Sequence, residues 1–333
     1  MKIFAWCLLK RDFTSGVDET ERTFDRLAEV GIDGLLPFVY EGGMCWYDSA
    51  IPGAKKEDRL SPVLDLAHAR GIEVHPLILP LQRVTPLEEA ERRRQSYQSG
   101  QPGGNPCDGR RCASWDENLD NGVVMTEDVL ARHPVDGIHL DAIRYVDTGQ
   151  SLKWPCRCEA CSAYYRTHMG KAYLTVEDLA EPDVHEQFLA FRGQRIRGLM
   201  ERIVDIVKPR GIPLSLAARA NYHNAALVEG QDWIAWSKAG WLDFVCPMNY
   251  STNREVHRDR LSAQMDLLAG AVPVYDGIGR KSSAGEMSPE EMVVQAEDAL
   301  ALGAEGIAIF HFTALEEADF EALEAFRHRT TSG

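Results

Sequence analysis

Asp136-Gly137-Ile138-His139-Leu140-Asp141-Ala142-Ile143-Arg144-Tyr145 carries one strand and the turn that leaves it. Alternate residues of a strand face opposite sides, so His139 and Asp141 share one face while Ile138, Leu140 and Ala142 share the other. The aliphatic face has to meet a covering layer of helices, which turns the imidazole and the carboxylate toward the inside of the sheet. A strand covered on both faces belongs to a parallel α/β sheet rather than to an antiparallel one with a wet side. An unpaired buried charge is costly, so a carboxylate placed there needs a partner or a task. The plainer of the two readings is that Asp141 only pairs with Arg144 or His139.

The same unit recurs in both directions along the chain. Toward the N-terminus come a helix over Asn118 to His133, a third strand over Ile72 to Leu79 and a helix over Leu60 to Arg70 ended by Gly71. Before these lie a second strand over Gly34 to Tyr40, a helix over Thr20 to Val30 and a first strand over Lys2 to Trp6. Phe24, Leu27 and Ala28 mark that first helix at i, i+3 and i+4, and Gly31 stops it where a left-handed residue is cheap. Toward the C-terminus follow strands over Pro213 to Ala218, Leu242 to Met248, Val272 to Gly277 and Gly306 to Phe312. Helices over Glu186 to Val207, Val228 to Ala239, Val256 to Ala269, Pro289 to Leu302 and Glu316 to His328 complete the alternation. Apolar strands in strict alternation with helices predict an α/β fold, a single (β/α)8 TIM barrel over residues 1–333. Two long loop insertions are expected after strands 3 and 4, at about 81–117 and 147–183. An open nucleotide-binding sheet would need a glycine-rich turn after its first strand, and Cys7-Leu8-Leu9-Lys10-Arg11 is not one.

The charge narrows the partners. With 36 Lys and Arg against 51 Asp and Glu, the net charge is -15, a field that repels phosphate backbones and anionic bilayers. Nucleic acid and membrane are therefore not expected as partners. The run Arg92-Arg93-Arg94 follows Glu88, Glu89 and Glu91 and reads as a solvated helix face. No stretch approaches the roughly 18 apolar residues of a membrane helix, and the apolar run in Met1 to Lys10 is too short for a signal-peptide core. The chain as given is expected to be soluble and cytoplasmic.

In a barrel of this kind the reacting groups sit at the C-terminal ends of the strands. Asp33, Asp136, Asp243 and Glu305 stand at strand starts and are expected to cap and pair at the opposite end. At the productive end strand 6 offers Asn249 and Tyr250, strand 5 leads into Arg219, strand 8 ends in His311 and strand 3 carries His75. Amides and phenols bind sugar hydroxyls, and tryptophan rings stack on sugar C–H faces. Trp6, Trp46 and Trp115 are thus candidate platforms beside His139, Arg144 and Tyr145, whereas Trp236 and Trp241 read as packing. For each polar group a satisfied structural role competes with a binding one.

Three segments together carry a family resemblance: Asp136 to Tyr145, Gln231-Asp232-Trp233-Ile234-Ala235-Trp236, and Asp243-Phe244-Val245-Cys246-Pro247-Met248-Asn249-Tyr250. In this order they resemble glycosyl-hydrolase-like family 10, and the match runs from strand 1 to strand 8. The resemblance implies a TIM barrel acting on glycosidic bonds of a carbohydrate. Many relatives carry a second acid directly after the strand 4 aspartate and a proline after the Arg-Tyr pair, where this chain has Ala142 and Val146. Glycoside hydrolysis uses two carboxyl groups, roughly 5 Å apart for retention or 6.5 to 9.5 Å for inversion. Asp141 is the first candidate, and Glu41, Asp232 and Asp276 are the candidates for its partner, in that order. Capping competes for Asp232 and a turn role for Asp276. No catalytic cofactor is expected.

Cys156, Cys158 and Cys161 form C-x-C-x2-C, a spacing that wraps around one zinc ion with Cys112, Cys107 or His168 as the fourth ligand. Such a closed thiolate site would be structural. Disulfides between the insertions and free thiols are the alternatives. Two other functions compete with the glycosidase: a metal-dependent hydrolase using His75, His139 and His311, and a carbohydrate-binding barrel without catalysis.

Overall fold

Eight parallel strands form the ring: β1 (Lys2–Leu8), β2 (Gly34–Phe38), β3 in two pieces (Glu73–Val74 and Leu77–Ile78), β4 (Ile138–Leu140), β5 (Leu214–Ala218), β6 (Phe244–Pro247), β7 (Tyr275–Gly279) and β8 (Gly306–Phe310). The computed structural model describes residues 1–85, 88, 90–91, 94, 96–98, 106–145 and 155–331. Strands neighbour one another in chain order and β8 returns to β1. The ring closes between β6 and β7 through a parallel bridge of Val245 and Val274, with Val245 N donating to Pro273 O at 3.0 Å. Around it run α1 (Val17–Val30), α2 (Leu60–His68), α3 (Asp116–Arg132), α4 (Glu159–Met169), α5 (Pro182–Val207), α6 (Trp233–Lys238), α7 (Arg254–Leu268), α8 (Pro289–Ala301) and α9 (Glu317–Thr331). None of the described helices is long and apolar enough to cross a membrane.

The starts of the strands are fixed by a repeated device. An N–H near the start of a strand that the neighbouring strand does not reach must find an acceptor elsewhere. Asp33, before β2, accepts from Ile3 N of β1 at 2.8 Å. Asp136, before β4, accepts from Val74 N of β3 at 2.7 Å, and Asp243, before β6, accepts from Leu214 N of β5 at 2.8 Å. Each aspartate thus clips the start of the preceding strand, which accounts for three of the acids expected at this end.

The lumen is filled in layers. Phe4, Phe244, Tyr275 and His75 pack ring against ring at the bottom, with Phe4 and His75 centroids 5.4 Å apart. A Cβ on Gly34 would stand 2.3 Å from the Phe4 ring and one on Gly137 2.3 Å from the His75 ring, so only glycine admits this plug. Above it come Leu77, His139, Ser215 and Trp6, and then Tyr250 and Phe310. A second, larger apolar cluster fills the layer between strands and helices.

Three elements differ from the sequence expectations. Strand 3 is broken at His75-Pro76, where the proline can donate no ladder bond. The helix expected over Val228 to Ala239 is two pieces, a π-turn over Ala225–Glu229 and α6. Gly230, at φ +77°, ends the first and Asp232 caps the second. Within the two insertions an antiparallel hairpin (Ser96–Gln98 with Pro106–Arg111) and α4 form. Val146 and the side chain of Cys107 lie outside the described residues.

Candidate active site

Asp141 leaves the end of β4 with its backbone N–H donating to Ile78 O of β3 at 3.0 Å. Alternation from His139 directs its carboxylate to the lumen face, where it retains 19% side-chain exposure. Ala142 follows in the left-handed region at φ +53°. That turn brings Ala142 N to Asp141 Oδ1 at 2.5 Å and folds Arg144 back onto the same oxygen at 3.0 Å. Oδ2 takes no bond from any described residue.

Arg144 also stands 3.5 Å from Glu229. Glu229 is fully buried and receives Arg219 through two bonds of 3.0 Å, a bidentate fork. Two guanidinium groups and two carboxylates therefore form one chain across the top of β4 and β5. Sequence reading missed Glu229 because it placed the residue inside a helix. Gly230 directly after it was the available signal for a chain end rather than a helix interior.

The floor beneath Asp141 is aromatic. Trp6 Nε1 donates to His139 Nε2 at 3.1 Å, and Tyr250 stacks on Phe310 with centroids 5.1 Å apart. Burial, then the charge of Asp141, pushes the Tyr250 phenol up from its ordinary value, so it stays a neutral donor. An indole nitrogen can only donate, so the single proton of neutral His139 lies on Nδ1 and reaches Ser215 Oγ at 2.8 Å. Burial lowers the His139 pKa to about 3, and both its nitrogens are engaged.

The remaining candidates lie elsewhere. Asp276 alternates with lumen-facing Tyr275 and Gly277, so it points into the strand–helix layer. There Asn249 Nδ2 donates to it at 2.8 Å and His257 Nε2 lies 2.7 Å away. Asn249 is likewise buried, and it bonds Gln264 of α7. Asp232 caps α6 through Ala235 N and accepts from Tyr222 at 2.8 Å. Glu41 sits on a short hairpin after β2 (Tyr40–Glu41 with Met44–Cys45), and its buried Oε2 has no hydrogen-bond partner among the described residues. Tyr145 is buried, with the Arg192 guanidinium 4.2 Å over its ring. Trp46 packs under Arg59 and Trp115 under Arg94, each at 4.9 Å. Among the three tryptophans offered as platforms, only Trp6 is in the lumen, and it is 2% exposed.

His75 is in the bottom layer and His311 follows β8 at the top, so the histidines of the metal-dependent rival do not converge. Among the described residues the thiols of Cys112, Cys156, Cys158 and Cys161 alone form a group able to hold a metal ion, all four Sγ atoms lying within 4.8 Å of one another. Cys112 stands 3.5 Å from Cys161 and 3.9 Å from Cys156. Sulfurs around a tetrahedral zinc with Zn–S near 2.3 Å stand about 3.8 Å apart, so the cluster has the right size. No disulfide joins any of the described cysteines. His168 is not in the group: its Nδ1 faces Tyr164 O and its ring stacks on Tyr164.

A closed parallel barrel with a carboxylate at the end of β4 is the architecture of the TIM-barrel class, and the solved structures it resembles include several glycoside hydrolases. The chain is similar to the glycoside hydrolase domain of PgaB (BpsB) from Bordetella bronchiseptica, with 14% identity, 98% of each chain covered and a TM-score of 0.75. It is similar to Gan42B, a GH42 beta-galactosidase from G. stearothermophilus, at 12% identity and TM-score 0.67, covering 98% of this chain and 56% of that one. A chitinase from Chromobacterium violaceum matches at 10% identity and TM-score 0.54, with 98% of each chain covered. At these identities the likeness is one of fold. No family model and no curated protein matches the chain.

Proposed function

We propose that this protein is a glycoside hydrolase of the family 10-like kind, cleaving O-glycosidic bonds of an oligo- or polysaccharide. The observation that carries the reading is Asp141, largely buried but still reached by solvent at the end of β4, beside the rings of Trp6, Tyr250 and Phe310. The fold shared with several glycoside hydrolases supports it. With Arg144 and an amide on Oδ1, Asp141 fits the carboxylate that attacks or activates water. Glu41 keeps an uncommitted oxygen and is the proton donor in this scheme. Asp232 and Asp276 are already engaged and rank behind it.

Replacing Asp141 by Asn should lower release of reducing ends from a responsive oligosaccharide by roughly 10²–10⁴-fold, the usual scale of an acid or base group. The melting temperature should change little, since one carbonyl oxygen still accepts from Ala142. Undiminished release by that variant would end the proposal. The ion pair of Asp141 with Arg144 favours one competing reading, a barrel that binds sugar without cutting it. Saturable binding by wild type with no product from any oligosaccharide in a panel would select it.

The second part of the reading is a structural zinc ion held by Cys112, Cys156, Cys158 and Cys161, joining the stretch after β3 to the one after β4. It takes no part in the chemistry at Asp141.

A further inference from the structure

Beside the Asp141 network lies a cleft of about 610 Å³, within the roughly 300–1,000 Å³ range of small-ligand sites. Its walls include Arg219, Asn221, Tyr222, His223, Tyr250 and Arg260, supplied by the segments that follow β5 and β6 and by α7. Arg219 and Tyr250 belong to both places: Arg219 leads through Glu229 to Arg144, and the Tyr250 ring covers the lumen floor. The cleft thus shares two side chains with the surroundings of Asp141, which does not itself line it.

The charge of this cleft is opposite to that of the molecule. The chain carries an excess of 15 acidic groups, yet no Asp or Glu is among the described residues lining the cleft. Two carboxylates that bond residues of the wall are engaged, Glu229 with Arg219 and Arg144, and Asp232 with the Tyr222 hydroxyl. Arg144 and Arg219 are balanced by Asp141 and Glu229, so among the described arginines lining the cleft Arg260 is the one without a carboxylate partner. Arg260 is exposed, pairs with no carboxylate among the described residues, and is aimed by one bond of 3.1 Å from Nη1 to Tyr250 O. Tyr222, Tyr250 and Asn221 line the same cleft.

We propose that this cleft is an anionic-sugar subsite, in which Arg260 pairs with the carboxylate or sulfate of an acidic sugar residue while Asn221 and Tyr222 meet its hydroxyls. This rests on the glycosidase reading only for what happens next at Asp141; the binding itself does not depend on it. A guanidinium suits either anion through paired N–H donors. The negative field outside means that discrimination comes from the cleft rather than from long-range attraction.

The test is titration calorimetry of the full chain with three probes: a glucuronate-terminated oligosaccharide, the same oligosaccharide with its carboxyl reduced to an alcohol, and an uncarboxylated sulfated one. Wild type should bind at least one anionic probe about tenfold more tightly than the neutral one, a difference of about 1.4 kcal/mol. Arg260→Gln should abolish that preference without weakening the neutral probe, and Arg260→Lys should keep most of it. Preference for the glucuronate assigns a carboxylate, and preference for the sulfated probe assigns a sulfate ester. Equal affinity for all three, or an unchanged preference in Arg260→Gln, overturns the subsite. Asp141→Asn should still bind the acidic probe, which separates the two ideas. Retained binding with no cleavage by wild type defeats only the hydrolase, and Asp141-dependent cleavage with no anion preference defeats only the subsite.

Discussion

His139 shows how a residue that looks reactive in sequence becomes part of the scaffold. Trp6 fixes its tautomer, Ser215 Oγ accepts from its Nδ1–H, and burial lowers its pKa to about 3 against 6.5 for the free side chain, with Asp141 opposing and His75 reinforcing the shift. As pH falls below 6.5 the unfolded chain takes up a proton that the folded one refuses. Stability from this group is therefore full above that pH and is lost progressively toward pH 3. Between pH 7 and pH 5 the loss amounts to about 2 kcal/mol. A glutamine can accept from Trp6 and donate to Ser215 without titrating. In urea unfolding, wild type should therefore lose about 2 kcal/mol more than His139→Gln over that interval. His133 and His311, also lowered by burial, cancel in the comparison. Equal losses in the two proteins would mean that the imidazole titrates normally and is more open than its surroundings indicate.

The aspartate clips act on whole strands. Asp243 holds the first N–H of β5 at 2.8 Å and also pairs with Lys208 at 2.8 Å. Asp243→Ala should cost about 1–3 kcal/mol in chemical denaturation, the penalty of an amide left without its acceptor. Catalysis at the far end of the barrel should be unchanged. A cost below about 0.5 kcal/mol would place the amide in contact with water instead. These acids were legible in the sequence because each directly precedes an apolar strand, and so was Asp141, because alternation from the aliphatic face puts it in the lumen. Glu229 was hidden by a run of helix-forming residues that tertiary packing splits at Gly230. Asn249 and Asp276 were misjudged on orientation: their neighbours Met248, Tyr250, Tyr275 and Gly277 occupy the lumen, so parity sends both outward to α7. His75 stands only two residues into its strand, next to Glu73 at 3.2 Å, and strand position alone puts it at the bottom.

At the scale of the molecule, the excursions after β3 and β4 meet at the cysteine cluster, behind the same turn that presents Asp141. Cys112 precedes α3, and Cys158 and Cys161 open α4, so a bound ion would tie elements separated by strand β4. Tyr145, at the end of the Asp141 turn, lies close enough for the Cys112 and Cys161 charges to raise its pKa, after burial itself. An ion that binds only the folded chain stabilises it by mass action, roughly 4 kcal/mol when free metal exceeds Kd a thousandfold. For a chain of this size that corresponds to a melting shift on the order of 6 °C. Purified protein should contain about one zinc per chain, by the four-thiolate stoichiometry of structural sites. A strong chelator or Cys161→Ser should remove the metal and lower the melting temperature by that amount, while far-ultraviolet dichroism still reports the barrel. A metal-free protein with unaltered melting in chelator would leave the thiols as a packed apolar cluster, and the hold on the turn that carries Asp141 would then come from Arg192 over Tyr145 and from Tyr145 N donating to Glu229 O at 2.8 Å.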